Sequence, residues 1–108
     1  MMQETHYHQL ADTWLAHAQD ALEEADAKGV LDIDYAHGSL TITLENGKVL
    51  LVSKHTPSRQ LWLSSPISGG LHFSYDEKKA EWVLADGCVL AELLAKELQA
   101  LSGVVVTL

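Results

Sequence analysis

The chain contains 108 residues, of which 47% are hydrophobic and 20% charged, and its formal net charge is −8. This length fits one domain, residues 1–108, and the acidic balance excludes a nucleic-acid-binding protein, because phosphates repel a negative surface. No apolar run reaches the roughly 20 residues of a membrane span, and the first residues lack a secretory or mitochondrial targeting pattern. Cys88 has no second cysteine with which to form a disulfide. We therefore expect a cytoplasmic protein.

The first predicted element is an amphipathic helix from Glu4 to Ala27. Glycine readily adopts the left-handed conformation that follows many helix ends, so Gly29 is predicted to end this helix. Apolar residues spaced three and four apart lie on one helix face. The predicted apolar stripe consists of Leu10, Trp14, Leu15, Ala18, Leu22 and Ala25.

From residue 31 onwards apolar and polar residues alternate, which is typical of strands. Asn46-Gly47 is a strong hairpin signal, because a two-residue turn of type I′ requires positive φ at both positions. Residues 66–70 are predicted to form a loop. The pattern predicts six strands, at residues 31–36, 39–45, 48–55, 60–65, 71–75 and 81–84.

A second helix is predicted from Cys88 to Leu101, with Asp86 as its N-terminal cap and Gly103 as its stop. The apolar tail, residues 104–108, is expected to pack back onto the domain. Strands joined by short turns form an antiparallel meander, and two helices with one apolar stripe each must cover the same sheet face. We therefore predict an α+β fold, a two-layer sandwich with two helices on one face of a six-stranded antiparallel sheet. The other face meets water.

Negative charge is concentrated at the start of the chain. Residues 1–34 hold eight of the fifteen acidic residues and a single basic residue, Lys28. Neighbouring carboxylates on a helix repel one another, and these lie at a helix C-terminus that is already negative. Carboxylates without basic neighbours suit hard cations that prefer oxygen ligands, although a solvated, solubilising face is the alternative. The candidate metal ligands, here called the acidic ridge, are Asp20, Glu23, Glu24, Asp26, Asp32 and Asp34.

Six histidines are scattered along the chain without the paired spacing of a metal-binding motif. His8 can share a helix face with Glu4, four residues before it, and is therefore an accessory candidate for metal binding. The other five are interpreted as ordinary surface or half-buried histidines. The chain also lacks a glycine-rich phosphate loop, a GxSxG motif and a CxxC motif, so no enzyme is predicted.

Trp62 is expected on the water-facing side of the sheet, because both of its neighbours are leucines that point towards the helices. An exposed tryptophan is costly unless a partner covers it, and tryptophan is enriched at the energetic centres of interfaces. The alternative is that the loop at residues 66–70 folds over the indole. Trp14 and Trp82 belong to apolar stripes and are predicted to be core residues.

The stretch TPSRQLWLSSPISGG, residues 56–70, resembles the signature of the frataxin family. The resemblance covers the whole chain, and the compact start is similar to that of the bacterial members. It implies the two-layer fold and a role in iron–sulfur cluster assembly, with ferrous and ferric iron bound by the acidic ridge. It further implies association with the cysteine desulfurase and cluster scaffold complex, with Gln60 and Trp62 as partner-facing residues of the sheet.

The resulting hypothesis is an iron-binding regulator or iron donor that has no turnover of its own. Iron is expected to bind weakly, because the predicted site is exposed and flexible. The chain also departs from the bacterial members it resembles: Gln19 stands where they commonly carry a carboxylate, and Lys28 and Val30 stand in a turn where they often have Asp, which implies a thinner ridge. A monomer is expected, and iron-dependent oligomerisation is left open. One alternative is a metal-independent acidic interaction module that modulates the desulfurase. A ferroxidase or iron-storage protein ranks last, because the sequence shows no Glu/His set of the kind used by helix-bundle ferroxidases.

Overall fold

The computed structural model describes residues 2–108, which form two helices and six strands. Each strand pairs antiparallel with its neighbours in sequence, so the sheet has the order β1-β2-β3-β4-β5-β6 and the predicted fold is confirmed. Neither helix in this part of the chain is long and apolar enough to cross a membrane. The elements are α1 (Glu4–Ala25), β1 (Asp32–Ala36), β2 (Ser39–Thr43), β3 (Val49–His55), a short 3-10 turn (Thr56–Ser58), β4 (Gln60–Ser65), β5 (Gly69–Asp76), β6 (Glu81–Val83) and α2 (Leu90–Ser102).

The core lies between the sheet and the two helices. Leu15, Ala18 and Leu22 of the predicted stripe on α1 are buried, and the burial extends towards the N-terminus, where Tyr7 and Ala11 were not predicted. The tail packs back onto the core as predicted, through its alternate apolar side chains. The sheet contributes Leu40, Ile42, Leu50, Val52, Leu61, Leu63, Phe73 and Trp82, and α2 contributes Leu90, Leu94 and Leu98.

The cap predicted at Asp86 is wrong. Val89 is held extended (φ −89°, ψ 130°) by an isolated antiparallel bridge to Val83, so α2 begins only at Leu90. The carboxylate of Asp86 instead accepts the N–H of Cys88 at 2.9 Å, within the turn before the helix. The stop at Gly103 is confirmed, because this glycine is left-handed with φ +77°.

Of the two hairpin turns next to β2, the first matches the predicted turn at His37-Gly38 and the second does not. His37 and Gly38 both have positive φ (53° and 75°) and join β1 to β2 as a two-residue turn. At Asn46-Gly47 the glycine alone has positive φ (86°), and its N–H donates to the carbonyl of Leu44 at 2.9 Å. This connection is therefore a longer turn that ends in a left-handed glycine, and the predicted two-residue turn at Asn46-Gly47 is wrong.

Candidate functional site

The acidic ridge lies on the C-terminal half of α1 and on β1, the edge strand of the sheet. All of its carboxylates except that of Asp26 belong to exposed residues. Within residues 2–108 the ion pairs formed by carboxylates involve Glu4, Asp12 and Glu77, and none involves a ridge residue. No basic side chain of the described residues therefore forms an ion pair with the ridge.

The ridge places its carboxylates in neighbouring pairs. Asp20 lies one turn of α1 from Glu23 and Glu24, and Asp32 and Asp34 share one side of β1. No three His, Cys, Asp or Glu side chains in the described residues are placed to hold one metal ion together. Carboxylate oxygens suit a hard cation, but such an ion would be held by one or two carboxylates, with water molecules completing its coordination shell.

Asp26 differs from the rest of the ridge, because it fixes the turn between α1 and β1. The helix ends at Ala25, two residues earlier than predicted, and Asp26 occupies the C-cap position. Its Oδ1 and Oδ2 accept the backbone N–H groups of Val30 and Leu31, both at 2.9 Å. Gly29, which was predicted to end the helix, lies inside this turn with φ +65°. The Asp26 carboxylate is therefore held in place and cannot rotate freely towards a metal ion.

We expect Asp26→Ala to lower the free energy of unfolding by about 1–2 kcal/mol, because two backbone donors lose their charged acceptor. Urea denaturation measures this difference. Asp20→Ala is the matched control: Asp20 is exposed and its carboxylate accepts no hydrogen bond from residues 2–108, so its loss should change stability by less than about 0.5 kcal/mol. Equal stabilities of the two variants would show that the Asp26 hydrogen bonds contribute nothing.

His8 lies at the opposite end of α1. It precedes Asp20 by twelve residues, which corresponds to about 18 Å along a helix that rises 1.5 Å per residue. Its Nε2 is 3.9 Å from Oε2 of Glu4, and its buried Nδ1 has no hydrogen-bond partner in the part of the chain that the structure describes. The structure therefore does not bring His8 to the acidic ridge.

Trp62 lies on the open face of the sheet, the face that the helices leave uncovered. Its indole is stacked between two imidazoles, with ring centroids 3.7 Å from His55 at 10° and 4.0 Å from His72 at 9°. His72 is the cross-strand partner of Trp62 on β5, and His55 is the last residue of β3. We call these three side chains the aromatic stack. Its two imidazoles cover both faces of the indole, so a partner can reach the edge of the ring but not its faces.

The loop that was expected as an alternative cover for Trp62 is shorter than predicted. Gly69 and Gly70 belong to β5 and pair with Ser65 and Ser64, which leaves only three residues to connect the strands. The pairing of β4 with β5 ends three residues beyond Trp62, about 10 Å away at 3.3 Å per residue. The alternative prediction, that this loop folds over the indole of Trp62, is therefore wrong.

Hydrogen bonds fix the orientation of the aromatic stack. The indole Nε1–H of Trp62 donates to Oε1 of Gln60 at 2.9 Å, and Nε2 of Gln60 donates to Oγ of Ser74 at 3.1 Å. The Ser58 hydroxyl donates to the same Oε1 at 3.0 Å and lies 2.6 Å from Nδ1 of His55. Ser58 therefore links the imidazole of His55 to the side-chain amide of Gln60. Gln60 therefore positions Trp62.

The sequence-based interpretation missed His55 and His72, which were treated as ordinary histidines. The available signal was the alternation of side chains along each strand. Once the register is known, His72 on β5 lies on the same side of the sheet as Trp62 on β4. The register depends on where the turn between the two strands closes, and the predicted turn was too long by two residues at its end.

Two comparisons of the sequence with known proteins give the same result. A family model described as the frataxin-like domain matches residues 1–104. The iron-sulfur cluster assembly protein CyaY of Azotobacter vinelandii is 39% identical over 94 residues, which cover 86% of this chain and 83% of that protein.

Solved structures with the same architecture include frataxin from Psychromonas ingrahamii. It matches with a TM-score of 0.86 at 24% identity, over 98% of this chain and 97% of the other, which shows a shared fold. A crystal structure of trimeric frataxin from the yeast Saccharomyces cerevisiae, complexed with ferrous iron, matches with a TM-score of 0.73 at 29% identity. That match covers 95% of this chain and 88% of the yeast chain.

Proposed function

The chain belongs to the frataxin-like family, and from this membership we propose that it acts in iron–sulfur cluster assembly as an iron-binding regulator or iron donor. In this proposal the protein works in the cytoplasm as a monomer and has no catalytic turnover of its own. Iron is its cargo, bound weakly and exchangeably.

The observation that carries the proposal is the uncompensated charge of the acidic ridge. Exposed like charges on adjacent helix turns and on the neighbouring edge strand repel one another, so the arrangement costs stability unless cations or a basic surface approach it. Asp20, Glu23 and Glu24 can rotate towards an ion on α1, and Asp32 and Asp34 can do so on β1. The pairs of carboxylates favour weak iron binding with most of the coordination supplied by water.

We propose the cysteine desulfurase and its cluster scaffold as the partner. The ridge would dock on a basic surface of the desulfurase, since opposite potentials steer association and fix the register of a complex. On the open face, the edge of the Trp62 indole would contact the partner, together with Gln60, which accepts the indole N–H. Iron on the ridge would compete with that docking or bridge it, and the interaction would then depend on iron.

The test is to replace Glu23 and Glu24 together by glutamine and to titrate the variant anaerobically with ferrous iron. In the wild-type protein, amide NMR signals around residues 20–26 and 32–34 should disappear selectively, because a paramagnetic ion broadens nearby nuclei. We expect E23Q/E24Q to bind iron and the desulfurase about tenfold more weakly, since two charges leave the site.

The matched control is D86N/E92Q, which removes the same charge from exposed positions outside the ridge and keeps at residue 86 a side-chain oxygen that can accept the Cys88 N–H. It should bind iron and the desulfurase like the wild type. If both double variants lose affinity equally, the effect comes from net charge and the ridge is not the site. Unchanged binding of iron and desulfurase by E23Q/E24Q would also contradict the assignment.

The metal-independent interaction module remains the second candidate, and the absence of any three-ligand cluster among residues 2–108 favours it. In that case the ridge is a docking surface, and iron binding is incidental. Modulation of the desulfurase that persists fully in the presence of a chelator would support this candidate over the iron-dependent one.

A further inference from the structure

Two buried polar side chains meet where α2 crosses the end of the sheet: Glu97 is 4% exposed and Ser65 is 8% exposed. The Ser65 hydroxyl donates to Oε1 of Glu97 at 2.5 Å, and the Ser68 hydroxyl donates to the same oxygen at 3.2 Å. No basic side chain of residues 2–108 forms an ion pair with this carboxylate. Burial of a carboxylate is costly unless hydrogen bonds replace its hydration, so the two hydroxyls are what holds Glu97 in this place.

The same cluster holds the turn between β4 and β5, residues 66–68. Oγ of Ser65 accepts the N–H of Ile67 at 3.0 Å and the N–H of Ser68 at 3.4 Å. A serine hydroxyl has one proton, and because that proton is donated to Glu97, the oxygen lone pairs face the two N–H groups. Within the described residues, no backbone carbonyl accepts either of these N–H groups. The turn is therefore held by side chains, and Glu97 is their anchor.

The strand pairs next to this turn add little side-chain packing of their own. Gly70 and Gly69 of β5 pair with Ser64 and Ser65 of β4, and a Cβ added at either glycine would meet nothing within 4 Å. Glycine weakens a strand because it has no side chain to pack. In a hairpin the register is fixed by the turn. The turn, and through it Glu97, therefore determines how this end of β5 lies against β4.

The aromatic stack is the nearest place on the open face where this placement matters. The open-face pair closest to the turn is Ser64 with Gly70, and the next pair is Trp62 with His72. His72 is exposed, and Gly70, its neighbour towards the turn on that face, offers no side chain to support it. The position of the His72 ring, 4.0 Å from the indole, therefore depends on how β5 is held against β4.

We propose that Glu97 is a positioning residue for the Trp62 surface: from the helix layer it anchors the β4–β5 turn, and the anchored turn keeps His72 stacked on the indole. Glu97 would thus shape a binding surface on the face of the sheet opposite to its own. The inference rests on the proposed function only for the identity of the partner that docks there. A residue that merely added stability would leave the stack unchanged in the folded protein, so the two roles can be separated.

The first experiment compares the ¹⁵N-labelled wild type with E97A, which removes the acceptor, and with E97Q, which keeps an Oε1 that can accept both hydroxyls. We expect hydrogen exchange at the amides of Ile67 and Ser68 to be about tenfold faster in E97A, and the indole Nε1–H signal of Trp62 to shift. Both should lie close to the wild type in E97Q. The control is E92A, which removes an exposed carboxylate from the first turn of the same helix and should change neither.

An indole signal that stays at its wild-type position in folded E97A would overturn the proposal, because Glu97 would then support the fold alone. Equal shifts in E97A and E97Q would overturn it as well, since the hydrogen-bond acceptor would not be the cause. If E97A does not fold, S68A takes its place, because it removes one donor and leaves the bond between Ser65 and Glu97. S68A should give a smaller shift in the indole signal, and an unmoved signal there would contradict the proposal.

The second experiment measures the affinity of the folded variants for the desulfurase. We expect E97A to bind about fivefold more weakly than the wild type, and E97Q and E92A to bind within about twofold of it. Wild-type affinity in E97A would overturn the claim that this positioning serves docking. If the desulfurase does not bind even the wild type, the proposed function fails, and the NMR comparison still decides whether Glu97 positions the Trp62 surface.

Discussion

Replacing Trp82 by alanine is expected to lower the free energy of unfolding by about 3–5 kcal/mol, the usual cost of removing a buried aromatic side chain. Trp82 on β6 is 1% exposed. Its ring meets Tyr7 of α1 edge to face, with centroids 6.1 Å apart at 81°, and Tyr75 of β5 at 5.3 Å and 68°. Burial also raises the pKa of the Tyr7 and Tyr75 phenols, as expected for rings shielded from water. The substitution therefore leaves a cavity where helix and sheet meet.

Urea denaturation of W82A, W82F and I67A measures this effect. W82F keeps a ring in the cavity and should lose less stability than W82A. Ile67 is 54% exposed in the turn between β4 and β5, so I67A should change stability by less than about 0.5 kcal/mol. A loss below about 1 kcal/mol for W82A would contradict the packing described for this residue.

Under the proposed function, replacing Trp62 by alanine is expected to weaken binding to the desulfurase and scaffold complex about 30-fold or more, the effect of losing an aromatic hot spot. The indole supplies the apolar edge at the centre of the open face, and its removal also leaves His55 and His72 without the ring on which they stack. The cost in folding stability should be about 1–3 kcal/mol, because the half-buried side chain loses two stacked rings and one hydrogen bond.

The affinity is measured by calorimetry with the purified complex at pH 8. S64A is the matched control, because Ser64 is an exposed residue on the same side of β4, two positions from Trp62. It should bind like the wild type. Wild-type affinity for W62A, in a variant that is shown to be folded, would remove Trp62 from the interface and would leave the acidic ridge as the sole docking surface.

The sequence predicted most of the fold because its local signals agree with one another. Apolar residues spaced three and four apart predict the first helix, alternating apolar and polar residues predict the strands, and a second apolar stripe predicts the last helix. Few folds fit this order other than two helices on one face of an antiparallel sheet. The ends of elements were predicted less well. Val89 stays extended because it bridges to Val83, and no local pattern shows that contact.

The acidic ridge was visible in the sequence because a charge imbalance is a property of composition and spacing. The same pattern did not distinguish Asp26, whose carboxylate is used by the backbone of the following turn. His8 entered as a candidate on its spacing from Glu4 alone. The length of α1 separates it from Asp20, and that separation follows from the helix being continuous between them.

The sequence by itself determined the order of the elements, the face of each that is apolar, and the concentration of charge on α1 and β1. Tertiary structure alone decided which side chains meet across strands. The stacking of Trp62 with His55 and His72 depends on strand register. The burial of Glu97, which accepts the Ser65 hydroxyl at 2.5 Å, depends on how α2 lies on the sheet. Register and helix placement are set by the summed packing of distant residues, which local patterns do not encode.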